Sequence, residues 1–182
     1  MHMEYPQEYK YQGFEAEEQL LGHKLPWEKI LKENNISPDR RTRKEWQQIL
    51  QHIYPENPIV PNKKWGKDLY DFTADKLELD IDDIESLKFY NSLGTDVDRM
   101  GVDCFFVFKN PQTGKEAVFN IDLTTNLQKD EAKSDLIIHA QQIPDYNKNE
   151  NGYIAEMKKI AELIAKDLKS KTEETIYQNK LN

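Results

Sequence analysis

Cysteine is all but absent, with a single residue, Cys104, in 182. One thiol excludes an internal disulfide and any zinc site built on cysteines. Its place inside the most apolar run of the chain marks it as a buried, inert thiol rather than a nucleophile. Long hydrophobic runs are missing too. No stretch approaches the roughly 20 apolar residues needed to span a bilayer, and the N-terminal residues show no signal-peptide apolar region, so no membrane partner is expected and the expected setting is cytoplasmic. Positive charge is in deficit: 25 Lys and Arg stand against 33 Asp and Glu, a net charge of -8. The field of the whole molecule therefore repels nucleic acid, and any such contact requires a local basic patch. A Gly-rich phosphate loop, a nucleophile elbow, a paired-histidine metal motif, internal repeats and low-complexity tracts are all lacking.

What is present centres on Gly101 to Thr125. Val102 to Phe108 is a nearly continuous apolar run, as expected of a strand covered on both faces, with Asp103 at its entrance. From Ala117 to Thr124 the period of two puts Ala117, Phe119, Ile121 and Leu123 on one face and Val118, Asn120, Asp122 and Thr124 on the other. Asn110-Pro111 and Thr113-Gly114 supply turn chemistry, so the two runs form a hairpin. Whether Asp103 and Asp122 converge depends on a register the sequence leaves open.

Around this hairpin the spacing predicts a helix from Phe14 to Leu21 ended by Gly22, a second opened by Pro26 and carrying Trp27, Ile30 and Leu31, and a third. The third starts at Ser37-Pro38 or at the capping box Thr42 to Glu45, and carries Trp46, Ile49, Leu50, Ile53 and Tyr54. A proline-broken loop follows. In it Trp65 either stacks on a base or, the stronger reading, folds back on the core. The acidic run from Asp71 to Glu85 lacks the glycine and closing glutamate of a calcium loop, and Asp80 is expected to cap a short helix carrying Ile81 and Ile84. Leu87 to Leu93 reads as the end of that helix or a first strand, Asp135 to His139 as a later strand of the sheet, and Tyr153 to Leu168 as an amphipathic helix. The expected organisation is an extended arm (1–13), one α/β domain (14–168) and a polar tail (170–182). The domain has a helical N-terminal part (14–54), a sheet core at about 87–140 and a C-terminal helix (152–169). The expected fold class is α/β, with α+β as the alternative: a small mixed central sheet flanked by helices.

Two carboxylates at the ends of adjacent strands are costly to bury without a cation or a proton between them. A hard divalent ion such as magnesium would serve, and such an ion polarises a phosphodiester and activates water. The bland alternative is that Asp103 and Asp122 cap or pair with loop groups. The basic residues Arg40, Arg41, Arg43, Lys44, Lys63 and Lys64 are the candidates for a phosphate-contacting surface, or else a solvated helix end. His139, at a strand end, is a general base or a structural histidine.

Gly101-Val102-Asp103 leading into an apolar strand, then a turn, then Ile121-Asp122-Leu123-Thr124 in the next strand resembles the core of the PD-(D/E)XK, or restriction-endonuclease-like, nuclease superfamily. That resemblance implies a helix acid, Glu17 or Glu18, joining Asp103 and Asp122 around Mg2+ or Mn2+, and hydrolysis of DNA or RNA. It covers about a quarter of the chain. One position departs from the pattern: Thr124 stands where the family has a lysine that holds the attacking water and steadies developing negative charge. Lys129 and Lys133 are the nearest substitutes, a metal-only mechanism being the other rescue. A non-catalytic binding or assembly module that keeps the fold is the competing reading, and a homodimer is left open.

Overall fold

The computed structural model describes residues 16–126, 128–129 and 133–173. The arm expected over 1–13, Phe14 and the end of the tail lie outside them. Residues 16–21 are helical, and the Gly22 N–H donates to Glu18 O at 3.0 Å. Gly22 has φ +102°, a backbone conformation that favours glycine and ends the turn there. Helix α1 (Trp27–Glu33) follows, with Pro26 at its N-cap. Helix α2 (Arg43–Ile53) begins at the Thr42 capping box, settling the choice of start: the Glu45 carboxylate accepts from Thr42 N–H at 2.7 Å, and Thr42 Oγ1 accepts from Glu45 N–H.

The loop expected around Trp65 is instead the first turn of helix α3 (Lys64–Lys76), and Trp65 is buried within it. The helix expected to carry Ile81 inward is a turn and a single 3-10 turn, Ile84–Ser86; Ile81 is 87% exposed. Asp80 does not cap that 3-10 turn, whose N-cap position is Asp83; its carboxylate closes the turn before it, accepting the N–H groups of Asp82 and Asp83. Strand β1 (Leu87–Asn91) resolves the ambiguity there, and the short helix α4 (Asp96–Arg99), capped by Thr95, interrupts the loop expected after it. Then come β2 (Cys104–Lys109), β3 (Glu116–Thr124), β4 (Leu136–His139) and helix α5 (Glu150–Glu173). The last helix runs past the expected end at 169, because Thr172 is buried and receives a hydrogen bond from Asn110 Nδ2 beside the β2–β3 turn.

The protein is a mixed α/β structure with a four-stranded sheet in the order β1-β2-β3-β4, flanked by helices. The first three strands are antiparallel and β4 lies parallel to β3. Phe106, Phe119, Ile121 and Leu123 pack with Leu69 of α3 and with Met157, Ile160 and Ile164 of α5. Tyr90, Phe105 and Val107 pack on the opposite face with Trp27, Ile30, Trp46, Leu50 and Val97. Helices thus cover both faces, which is why β2 is apolar at consecutive positions. Among the described residues no helix is long and apolar enough to cross a membrane.

Candidate functional site

Strands β2 and β3 pair with Cys104 opposite Ile121. Continued one step, that register sets Asp103 across from Asp122, and cross-strand partners share a face. The Asp103 N–H donates to Ile121 O at 2.9 Å, its carbonyl accepts from Ser92 N–H at 2.9 Å, and its Oδ2 accepts from Leu123 N–H at 2.6 Å. Both aspartates are buried, at 6% and 4% exposure. The neighbouring strand contributes no acid: Ile137 of β4 is opposite Asp122.

A third carboxylate comes from the helical turn at 16–21, and it belongs to Glu17. Burial, then the charges of Asp98 and Asp122, push its carboxyl up to about 7, with Lys24 and Lys129 opposing the rise. Asp103 is raised further, to about 8, first by burial and then by Glu17, while the Leu123 N–H opposes and Asp122 and Asp98 add to the rise. Glu18, the other candidate for the helix acid, is placed differently: its carboxylate lies 4.0 Å from His23 Nδ1. Adjacent helical residues point about 100° apart, so only one of the pair can face the aspartates. Asp98 is a participant the sequence reading passed over; its Oδ2 accepts from Gly94 N–H at 2.7 Å. Glu17, Asp98, Asp103 and Asp122 form an acidic zone at one end of the sheet.

Lys129 brings a cation into that zone, its ammonium forming an ion pair with the buried carboxylate of Asp122. Lys133 is placed differently. Its side chain runs along Gly101, where an added Cβ would meet Lys133 Cδ at 3.6 Å, and its carbonyl accepts from the guanidinium of Arg43. Thr124 stays on the Asp122 face, and its Oγ1 accepts from Asn126 N–H at 3.1 Å. His139 is opposite Thr124, but it lines a separate cavity of about 150 Å³ with Ile143 and Leu163, its buried Nδ1 having no hydrogen-bond partner among the described residues.

The basic residues do not form one patch. Arg40 and Lys44 are exposed, whereas Arg41 donates to Ser37 O at 2.6 Å and stacks on Trp46. Lys64 pairs with Asp68 at 2.7 Å and sits 3.9 Å from the centre of the Tyr146 ring, so it is committed to the α3–α5 side. Its neighbour Lys63 lies against Gly22, one helical turn past Glu18. Arg43 and Lys63 therefore each abut a segment that carries or adjoins a site residue.

Oxygen donors of this kind suit a hard divalent ion, and the raised affinity of Glu17 and Asp103 for protons comes first from burial and then from the neighbouring carboxylates. As placed, no three His, Cys, Asp or Glu among the described residues are drawn close enough to hold an ion. Comparison of the chain with protein families, with curated proteins and with solved structures finds no match.

Proposed function

We propose that the chain is a nuclease-like protein that hydrolyses phosphodiester bonds in DNA or RNA with the help of Mg2+ or Mn2+. Asp103 and Asp122 would hold the ion, and Glu17 is the third carboxylate. When bound, it would polarise the phosphate and lower the pKa of the attacking water. The observation that carries the reading is the Lys129 ammonium on the carboxylate of Asp122. It returns to the aspartate the positive charge missing at Thr124, by a route through the connection after β3 rather than along the strand. From there Lys129 is within reach of a phosphate lying over the carboxylates and steadies the negative charge that builds on it. The order of parts supports the same reading: an acid on a preceding helical turn, an aspartate entering one strand, an acid opposite it in the next, then a further strand.

The test compares cleavage of single- and double-stranded DNA and RNA, with Mg2+, Mn2+ or EDTA, by the wild type, Asp122→Asn, Lys129→Ala and Lys129→Arg. Metal-dependent cleavage is expected. Lys129→Ala should lower kcat by about 100-fold, the scale of one lost charge-stabilising donor, and Lys129→Arg should recover part of it. A second reading also has an observation behind it. Lys129 neutralises Asp122 without any metal, and Leu123 N–H satisfies Asp103, as a non-catalytic binding or assembly module would require. Absence of cleavage on every substrate, together with no calorimetric binding of either metal, decides for that module.

A further inference from the structure

Beside the carboxylates lies a cavity of about 400 Å³ that the nuclease reading does not use. Its walls come from the segment after Glu17 (Gly22, Lys24), the start of α1 (Pro26, Lys29) and the loops at Pro55 and Lys63. Lys24 belongs to both places, since it lines the cavity and its charge opposes the rise of the Glu17 pKa. Its side chain packs on Gly94, where an added Cβ would meet Lys24 Cβ at 3.0 Å, and the Gly94 N–H is the donor to Asp98. Cavity and carboxylate zone therefore adjoin through one lysine.

In a chain of net charge -8, three lysines around one cavity set it apart. Two acids share the wall and leave it with one more lysine than acid: Glu33 pairs with one of the three, Lys29, at 3.8 Å, and Glu56 accepts from Tyr54 Oη at 3.3 Å. Pro26, Ile30 and Pro55 supply apolar surface between the lysines. The volume is near the lower end of ligand cavities, about 300–1,000 Å³, so it suits one unstacked base with its sugar and excludes a duplex. We propose that this cavity seats one nucleotide of a single-stranded nucleic acid whose neighbouring phosphate lies over Glu17, Asp103 and Asp122. The proposal rests on the nuclease reading of those carboxylates. Of the two amides on its wall, Asn62 and Asn91, the second does not read the base. Asn91 Nδ2 already donates to Leu21 O and His23 O, and its Oδ1 accepts from Leu93 N–H.

The test measures fluorescence anisotropy of a labelled decanucleotide, as single-stranded DNA, single-stranded RNA and duplex DNA, in EDTA over a range of salt. The proteins are the wild type, Asp122→Ala and the double variant Lys29→Gln/Lys63→Gln, whose substituted side chains are both exposed. The wild type should prefer single strands. The double variant should bind about tenfold more weakly, with a slope of log K against log salt shallower by about 1.4, because each lost phosphate contact on a single strand contributes about 0.7. Equal affinity and slope for the double variant, a preference for duplex, or no binding by the wild type at low salt overturns the subsite. The nuclease reading fails separately: if the wild type cleaves nothing with either metal while the lysine variant still loses binding, the nucleotide subsite stands and the catalytic assignment falls.

Discussion

Asp103 holds a proton at pH values where an ordinary aspartate has lost it, and this couples the site to stability. Its carboxyl is raised to about 8 in the folded chain, against about 3.9 when unfolded. Between those values the folded state binds the extra proton, so the contribution is fully present below about pH 4 and is lost as pH rises through about 8. Stability should fall across that window by at most about 1.4 kcal/mol per pH unit from this residue. Asp103→Asn should flatten the decline, since the amide oxygen can still accept the Leu123 N–H and no ionisation follows. Thermal unfolding from pH 5 to 8 checks this. A slope unchanged in the variant would assign the pH dependence elsewhere. Mg2+ should raise the Tm of the wild type more at pH 8 than at pH 5, because the ion competes with protons for the same oxygens.

Single elements show what a linear pattern can and cannot reveal. The hairpin was legible because period-2 alternation and turn residues act locally, and they delivered Asp103 and Asp122 by name. Their pairing was not legible, since register is decided by contacts between strands. Glu17 and Glu18 differ only by a rotation about the helical turn, which Phe14 and Leu21 are too few to orient. Lys129 is reached through a connection with no periodicity. The prolines before Trp65 and Gly66 after it are loop signals, yet burial of Trp65, Leu69 and Tyr70 against the sheet outweighs them. At the far end of α5, polar composition concealed a fixed position. Thr172 is fully buried, donates to Leu168 O at 2.9 Å and accepts from Asn110. Thr172→Val should leave the Asn110 amide without that partner and cost about 1–3 kcal/mol. Urea denaturation would read this as a lower midpoint at unchanged slope, whereas a frayed tail would show no change.

Across the whole molecule the sheet is a middle layer, and its two faces carry comparable cores. Phe105 stacks on Tyr90 at 5.0 Å on one face, and Phe106 meets Phe89 edge-on at 5.1 Å on the other. Both phenylalanines are fully buried. Phe105→Ala and Phe106→Ala should therefore each destabilise by about 3–5 kcal/mol, in one cooperative transition. If Phe105→Ala cost less than about 1 kcal/mol, the N-terminal helices would be a loose cover and not a second core. The site draws on both cores: Asp98 and Lys29 are presented by segments on the Phe105 side, whereas the turn carrying Glu17 packs through Leu20 and Leu21 on the Phe106 side, as does the helix that follows Lys63.

Cys104 opens β2 directly after Asp103, opposite Ile121, and has no exposed surface, and burial pushes its thiol well above the usual range. Alkylating reagents attack the thiolate, so they reach this sulfur only when the core on the Phe106 face opens. The chain therefore carries its own clock. The rate at which its one thiol is consumed reports how often that core opens, with no probe introduced, and any cation that binds only the closed chain would slow that rate.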